Sequence, residues 1–200
     1  MYAHKNQKAG ENLRQNQNTL SIEEYNSKYW QHKSNTFMDI LDELRINCGK
    51  VKVIYSDTPI IGYNKSDDTI YIDEKFLNSL IISYKIGYHS GIAALMYHEI
   101  GHRTDLLKEG STSEVSAELN SIRHLGIHPE EGLSQQISIS MFTYAGRDSL
   151  KAIDECNKRI SLYGISDHFG EKAANYIASK AMLYYRMLIG YGKHTSKNNV

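Results

Sequence analysis

The 200-residue sequence lacks the features that mark secreted, membrane-spanning or nucleic-acid-binding proteins. Its only cysteines, Cys48 and Cys156, form no metal-binding pair, and a reducing compartment would require no disulfide between them. Basic and acidic residues number 23 each, so the chain has no excess of positive charge for nucleic acid. No uncharged apolar run reaches the roughly 18 residues of a membrane span, since Lys85 and His89 interrupt the longest candidate, Leu80 to Tyr97. The first seven residues contain no apolar core, so we expect no secretory signal and a cytoplasmic location.

The length and composition favour a single folded domain with a sizeable core. Residues 1–20 are polar and rich in Asn and Gln, which predicts a flexible N-terminal segment. Residues 191–200 are interpreted as a flexible tail. The single domain is therefore predicted to occupy residues 21–190.

The first half of this domain is predicted to contain one helix and a few short strands. Apolar residues at helical spacing and a Ser-x-x-Glu start predict a helix over Ser21–Ile46. Alternation and β-branched residues predict strands at Val51–Tyr55 and Thr69–Asp73, with another short strand opening at Ile60. The polar run Asn64–Asp68 is a predicted turn.

The second half is predicted to be helical. Apolar stripes indicate helices over Ser134–Leu162, with a break at Gly146, and over Glu171–Ile189. These stripes are typical of a protein core rather than of a cofactor site.

The most informative motif is HExxH, formed by His98, Glu99 and His102. The preceding apolar run predicts a largely buried helix, on which residues four apart lie on one face, so both imidazoles can reach one ion. Glu99 then projects beside the ion, where it can take a proton from a metal-bound water. Imidazole nitrogens suit Zn²⁺, which lowers the pKa of a bound water to about 7. The motif therefore predicts a zinc hydrolase site.

A third ligand is expected from a second helix that returns alongside the first. Gly110 breaks the first helix, and the Ser/Thr run after it supplies N-cap residues for the second. A third His six residues beyond His102 is excluded, because Lys108 occupies that position. Glu114 and Glu118 lie four apart on one face of the second helix, so either carboxylate could approach the ion.

Residues 98–126 resemble the core of small glutamate-zincin peptidases, in particular ImmA/IrrE-type proteins and membrane-free relatives of the HtpX-type proteases. Their pattern is HExxH followed by Glu-x-x-Ala-Asp or Glu-x-x-Ala-Asn, and this chain reads Glu-Val-Ser-Ala-Glu from Glu114. The resemblance implies that Glu114 is the third ligand, and that Glu118 replaces the acid or amide that orients a ligating His. Glu118 stays open as an alternative ligand, because it would lie level with His102 if the first helix continued to Leu107.

The resemblance implies an α+β, zincin-like fold, with a small antiparallel sheet packed on the active-site helix and a mainly helical C-terminal half. Thr69–Asp73 is the strand expected to present its edge to an extended peptide. The expected activity is that of a zinc metallopeptidase with one Zn²⁺ per chain, Glu99 as general base and a peptide or protein as substrate, without nucleic-acid or membrane partners. A zinc-binding regulatory module with weak or no hydrolytic activity is the alternative, and a structural domain with coincidental histidines is a third. The candidate donors of a hydrogen bond to the reacting oxygen are His89, His124, His128, Tyr144 and Tyr184.

Overall fold

The structure is a computed structural model that describes residues 20–21, 50–54, 59–126 and 128–195. Elements are numbered here over those residues alone. The strands are β1 (Leu20–Ser21), β2 (Lys50–Ile54), β3 (Ile61–Asn64) and β4 (Thr69–Asp73). The helices are α1 (Glu74–Lys85), α2 (His89–Lys108), α3 (Glu114–Leu125), α4 (Pro129–Ala145), α5 (Ser149–Leu162), α6 (Ile165–Phe169) and α7 (Glu171–Thr195). Apart from Ser21, the predicted helix Ser21–Ile46 lies outside the described residues, as do positions 1–19 and 196–200.

The four described strands form one mixed sheet in the order β1-β2-β4-β3, so the predicted antiparallel sheet is wrong in one pairing. β2 and β4 are parallel, with Val51 opposite Ile70, whereas β3 runs antiparallel to β4 on its outer side. All five residues of β4 are buried and those of β3 are half-buried. The more apolar strand therefore takes the interior position. This also corrects the strand expected to meet a substrate, because β4 has neighbours on both sides and β3 is an outer strand among those that the structure describes.

Helix α1 follows β4 directly and was not predicted from the sequence. Asp73 ends the strand and caps the helix, its side chain accepting a hydrogen bond from the backbone N–H of Lys75 at 2.8 Å. The buried side chains Phe76, Leu77 and Leu80 then pack with β4 and α2 in the first of two apolar clusters. Removing these side chains from water attaches the sheet to the helix that carries the HExxH motif.

The predicted motif helix and its return helix are confirmed as α2 and α3. Helix α2 ends before Gly110, whose φ of +76° is accessible to glycine at little cost. Ser113 begins α3, its hydroxyl oxygen accepting a hydrogen bond from the backbone N–H of Ser116 at 3.1 Å. Only five residues, 109–113, connect the two helices, which therefore pack as antiparallel neighbours.

The helical C-terminal half is confirmed, and its side chains form the second apolar cluster. The long predicted helix is divided at Gly146 into α4 and α5. Helix α7 continues to Thr195 and so includes residues 191–195, which the sequence analysis placed in the tail. None of the helices in these described segments is long and apolar enough to cross a lipid bilayer.

Candidate metal centre

The site lies where α2 and α3 approach each other most closely. Gly101 faces Ala117, and a Cβ built on Gly101 would lie 2.8 Å from both the Cα and the carbonyl oxygen of Ala117. Two turns earlier on α2, the hydroxyl of Ser121 donates to the carbonyl oxygen of Ala94 at 2.9 Å. The contact between two small residues lets short side chains from both helices meet at one point.

The contact between Gly101 and Ala117 sets the positions of the two glutamates of α3 along α2. Glu114, at the start of α3, lies beside Nε2 of both imidazoles, and Glu118, one turn later, lies beside Nδ1 of His98. Helix α2 does continue past Leu107, yet Glu118 does not take the position beside His102. The expectation that a long first helix would place it there is wrong, because the contact of Gly101 with Ala117 fixes a different offset between the helices.

Three ligand atoms converge between the helices. The Nε2 atoms of His98 and His102 are 3.1 Å apart. The Glu114 carboxylate lies 3.2 Å from His98 Nε2 through one oxygen and 3.8 Å from His102 Nε2 through the other. These three residues form a His-His-Glu group that could hold a metal ion.

The separations fit a four-coordinate ion. Metal–ligand distances of about 2.0–2.1 Å in a tetrahedron place neighbouring ligand atoms about 3.4 Å apart. The observed separations between the ligand atoms, 3.1, 3.2 and 3.8 Å, lie on either side of that value. Around such an ion the three residues would take three corners, and the fourth would be left for a water or substrate atom.

A buried carboxylate orients the first imidazole. Glu118 Oε2 lies 2.7 Å from Nδ1 of His98, on the side of the ring away from Nε2. Gln136, on α4, donates from Nε2 to the same carboxylate oxygen at 3.0 Å. Both Glu118 and Gln136 are fully buried. Glu118 therefore holds His98 from behind, in the position of a residue that orients a ligand.

A hydroxyl relay orients the second imidazole. Thr112, in the connection between α2 and α3, places Oγ1 2.9 Å from Nδ1 of His102. The same hydroxyl donates to Oδ2 of Asp105 at 3.2 Å. Since Thr112 donates its one proton to Asp105, it accepts the proton on His102 Nδ1. Asp105 thus orients His102 through Thr112 rather than by direct contact.

When the two imidazoles are neutral, these partners place a proton on Nδ1 of each ring and leave an unshared electron pair on each Nε2. Two such nitrogens 3.1 Å apart repel each other unless a proton or metal cation lies between them. Burial disfavours a charged imidazole at His98, but the hydrogen bonds to Glu114 and Glu118 outweigh it and raise the pKa of His98 to about 10. The site is therefore built to hold positive charge.

Glu114, the third candidate ligand, is held in its ionised form. Burial would raise the pKa of Glu114, but the hydrogen bonds with His102 and His98 outweigh it and hold the pKa well below its usual value. The Glu114 side chain is 22% exposed, compared with 5% for that of His98. The centre is thus closed on the Glu118 side and open to solvent beside Glu114.

Glu99 lies next to this group without belonging to it. It is 6% exposed, and the atoms that converge within 4.8 Å of one another come from His98, His102 and Glu114. Its charge also acts on Tyr144, whose pKa is raised by burial and by nearby carboxylates. A carboxylate beside the ligands, and outside their cluster, can accept a proton instead of binding the ion.

The sequence analysis missed an aromatic side chain behind His98. Tyr163, at the end of α5, packs its ring against that of His98 with centroids 5.1 Å apart. Its hydroxyl accepts a hydrogen bond from Nη1 of Arg159 at 2.8 Å, and burial raises its pKa, so it is a neutral phenol. No local motif could indicate this residue, because it lies 65 positions after His98 in the sequence.

The residues proposed as donors to the reacting oxygen have other contacts. The Tyr184 hydroxyl donates to Glu131, and His124 stacks on Tyr97 with ring centroids 4.1 Å apart. His89 stacks on Tyr84 with centroids 4.7 Å apart. Burial raises the pKa of Tyr144, and its role as a donor stays a prediction.

Comparisons with models of protein families, with curated proteins and with solved structures found no match to this chain. The function is therefore argued from the geometry of the site. That geometry comprises three converging ligand atoms, two oriented imidazoles and an adjacent carboxylate.

Proposed function

We propose that the protein is a zinc-dependent endopeptidase. The observation that carries the proposal is the convergence of two imidazole Nε2 atoms and the Glu114 carboxylate, at separations of 3.1–3.8 Å, with Nδ1 of each ring already engaged. If His98 and His102 were ordinary surface residues, their Nδ1 atoms would need no buried hydrogen-bond partners. The HExxH and Glu-x-x-Ala patterns support the same assignment.

The ligand chemistry favours zinc among the common divalent ions. Calcium and magnesium prefer sets made of oxygen atoms, whereas two imidazoles and one carboxylate suit a four-coordinate ion with an open position. Zinc bound by His98, His102 and Glu114 would supply Lewis-acid activation of a water molecule and of the substrate carbonyl group. Glu118 and Thr112 would keep the two imidazoles aligned toward it.

Glu99 would carry the proton through the reaction. Its carboxylate accepts one proton as the water oxygen bonds to the scissile carbonyl carbon. It then returns that proton to the amide nitrogen as the carbon–nitrogen bond breaks, so the carboxylate is regenerated at the end of the cycle. Its 6% exposure would shield the proton from bulk water during the transfer.

The substrate that fits the fold is an extended peptide. β3 is the outer strand on its side of the described sheet, and it packs against α2, which carries the motif. A Cβ placed on Gly62, in β3, would meet no described atom within 4 Å, so there is open space over that face of the strand. A peptide that pairs with this edge would be bound through its main chain, with little dependence on its sequence.

The proposal is tested by cleavage of a denatured, fluorescently labelled casein. We expect the zinc-loaded protein to cleave it, a chelator to stop the cleavage, and added zinc to restore it. Glu99→Gln keeps the size of the side chain and removes the base, so zinc content and melting temperature should stay unchanged. Turnover should fall about 10²–10⁴-fold.

The Glu99→Gln protein also separates the proposal from a contaminating protease and from a zinc-binding module without activity. Equal cleavage by Glu99→Gln and by the unmodified protein would remove Glu99 from the mechanism. A protein that binds zinc and cleaves no peptide at all would favour the regulatory module.

A further inference from the structure

Asp68 connects three parts of the molecule near the site. It lies in the turn between β3 and β4, with a positive φ of +49°. Its two carboxylate oxygens accept hydrogen bonds from Nε and Nη2 of Arg103, at 2.6 and 2.8 Å. The hydroxyl of Tyr63 donates to the carboxylate as well, at 2.9 Å.

The donors come from the two elements whose relative position matters for a substrate. Arg103 follows His102 directly on α2, and Tyr63 lies on the edge strand β3. One carboxylate therefore joins the motif helix, the edge strand and the turn beyond it. The two parallel hydrogen bonds from the guanidinium fix direction as well as distance, which a single contact would not do.

We propose that Asp68 is a positioning residue, which holds the edge of β3 in a fixed relation to His98, His102 and Glu114. The inference rests on the proposed function, in which an extended peptide pairs with β3. Such a peptide presents its scissile bond to the centre only if the strand and the helix keep their relative placement.

The geometry indicates a larger effect on the reaction than on stability. The side chains of Asp68 and Arg103 are 45% and 32% exposed, and ion pairs so exposed stabilise a fold little. In contrast, a displacement of the substrate by about 1 Å can reduce the rate about 100-fold. Loss of the ion pair should therefore reduce peptide cleavage while the protein stays folded.

Asp68→Asn is the sharpest test, because Asn has nearly the same shape and also tolerates positive φ. The substitution removes the charge and leaves the turn intact. We expect unchanged zinc content and melting temperature, and kcat/KM for labelled casein lower by about tenfold or more. Amide hydrogen exchange in β3 should become faster than in the unmodified protein. This measurement does not depend on enzymatic activity.

Glu131→Gln is the matched control. Glu131 pairs with Lys180 at 2.8 Å with similar exposure, but this pair joins α4 to α7. The control should keep the original kcat/KM and the original exchange in β3. Arg103→Lys retains the positive charge but loses the bidentate hydrogen bond to Asp68, so it should reproduce the defect of Asp68→Asn.

Unchanged kcat/KM and unchanged β3 exchange in Asp68→Asn would overturn the inference. Loss of zinc in that protein would overturn it too, since Asp68 would then support the metal centre itself. If the unmodified protein cleaves no casein, the proposed function fails, and the exchange comparison still decides whether Asp68 fixes β3.

Discussion

Two contacts between helices in this molecule bury different kinds of side chain. Between α4 and α7 the buried side chains are apolar, among them Ile137, Ile177 and Tyr185. Between α2 and α3 they include imidazoles and carboxylates, with Glu118 fully buried. The first contact is typical of a protein core, whereas the second would be a costly way to stabilise a fold.

The difference shows which contact is explained by stability and which by function. Fully burying an aliphatic side chain contributes about 1.5–3 kcal/mol. A buried carboxylate loses its hydration and recovers it only through well-placed partners, so the balance is often near zero. The arrangement between α2 and α3 is therefore better explained by a bound cation than by the stability of the helix pair.

The largest expected effect concerns the two glutamates between α2 and α3. Glu114→Gln removes a proposed ligand and should lower zinc affinity by more than about 100-fold, beyond the range of residues that only orient a ligand. Glu118→Gln keeps Nδ1 of His98 in contact with a side-chain oxygen and should cost about 10–100-fold. Competition titration with a chromogenic chelator measures both. The reverse order of severity would make Glu118 the ligand.

The second expected effect tests the apolar contact. Ile177 is fully buried, and Ile177→Ala should lower the free energy of unfolding by about 2–5 kcal/mol through lost burial and the cavity left behind. Denaturant unfolding measures the change. Zinc affinity of the folded protein should stay as it was. A loss of affinity comparable to that of Glu118→Gln would show that the two contacts are not separate in function.

The third expected effect tests the close approach of α2 and α3. Gly101→Ala places a methyl group 2.8 Å from the backbone of Ala117, so α3 must shift, at a cost of about 1–3 kcal/mol and with weaker zinc binding. Gly190→Ala, on α7, meets no atom within 4 Å and should instead stabilise the helix by about 0.5–1 kcal/mol. Melting temperatures of the pair should move in opposite directions. Equal shifts would contradict the tight contact.

The smallest expected effect concerns the relay to His102. Thr112→Val keeps the shape of the side chain and removes the hydroxyl between His102 and Asp105. Zinc affinity should fall about tenfold, the lower end of the range for residues that orient a ligand. Thr143→Val is the control, since that hydroxyl donates within α4 to the carbonyl oxygen of Ile139. Equal affinities for the two proteins would remove Thr112 from the site.

The local parts of this arrangement were predictable from the sequence. The four-residue spacing of His98 and His102 defines one helix face without reference to the rest of the chain. Gly110 and Ser113 likewise mark the end of α2 and the start of α3 through their own backbone and side-chain preferences. These local signals left Glu114 and Glu118 both open as the third ligand, and the preference for Glu114 came from the family resemblance.

The remaining parts depend on contacts between distant residues. Gln136 and Tyr163 reach the site only because α4 packs beside α2 and the end of α5 meets His98, which no spacing encodes. The parallel pairing of β2 with β4 is not encoded in the pattern of either strand, and the antiparallel order was what the family resemblance implied. Helix α1 was missed because Asp73 both ends a strand and caps the helix.

The most direct test of the account is the zinc content of the purified protein, measured by elemental analysis beside that of His98→Ala. Losing one of three ligands leaves an incomplete site. The account predicts one zinc per chain in the unmodified protein and most of it lost in His98→Ala, with both proteins folded by circular dichroism. Full zinc in His98→Ala, or none in the unmodified protein after zinc is supplied, would contradict it.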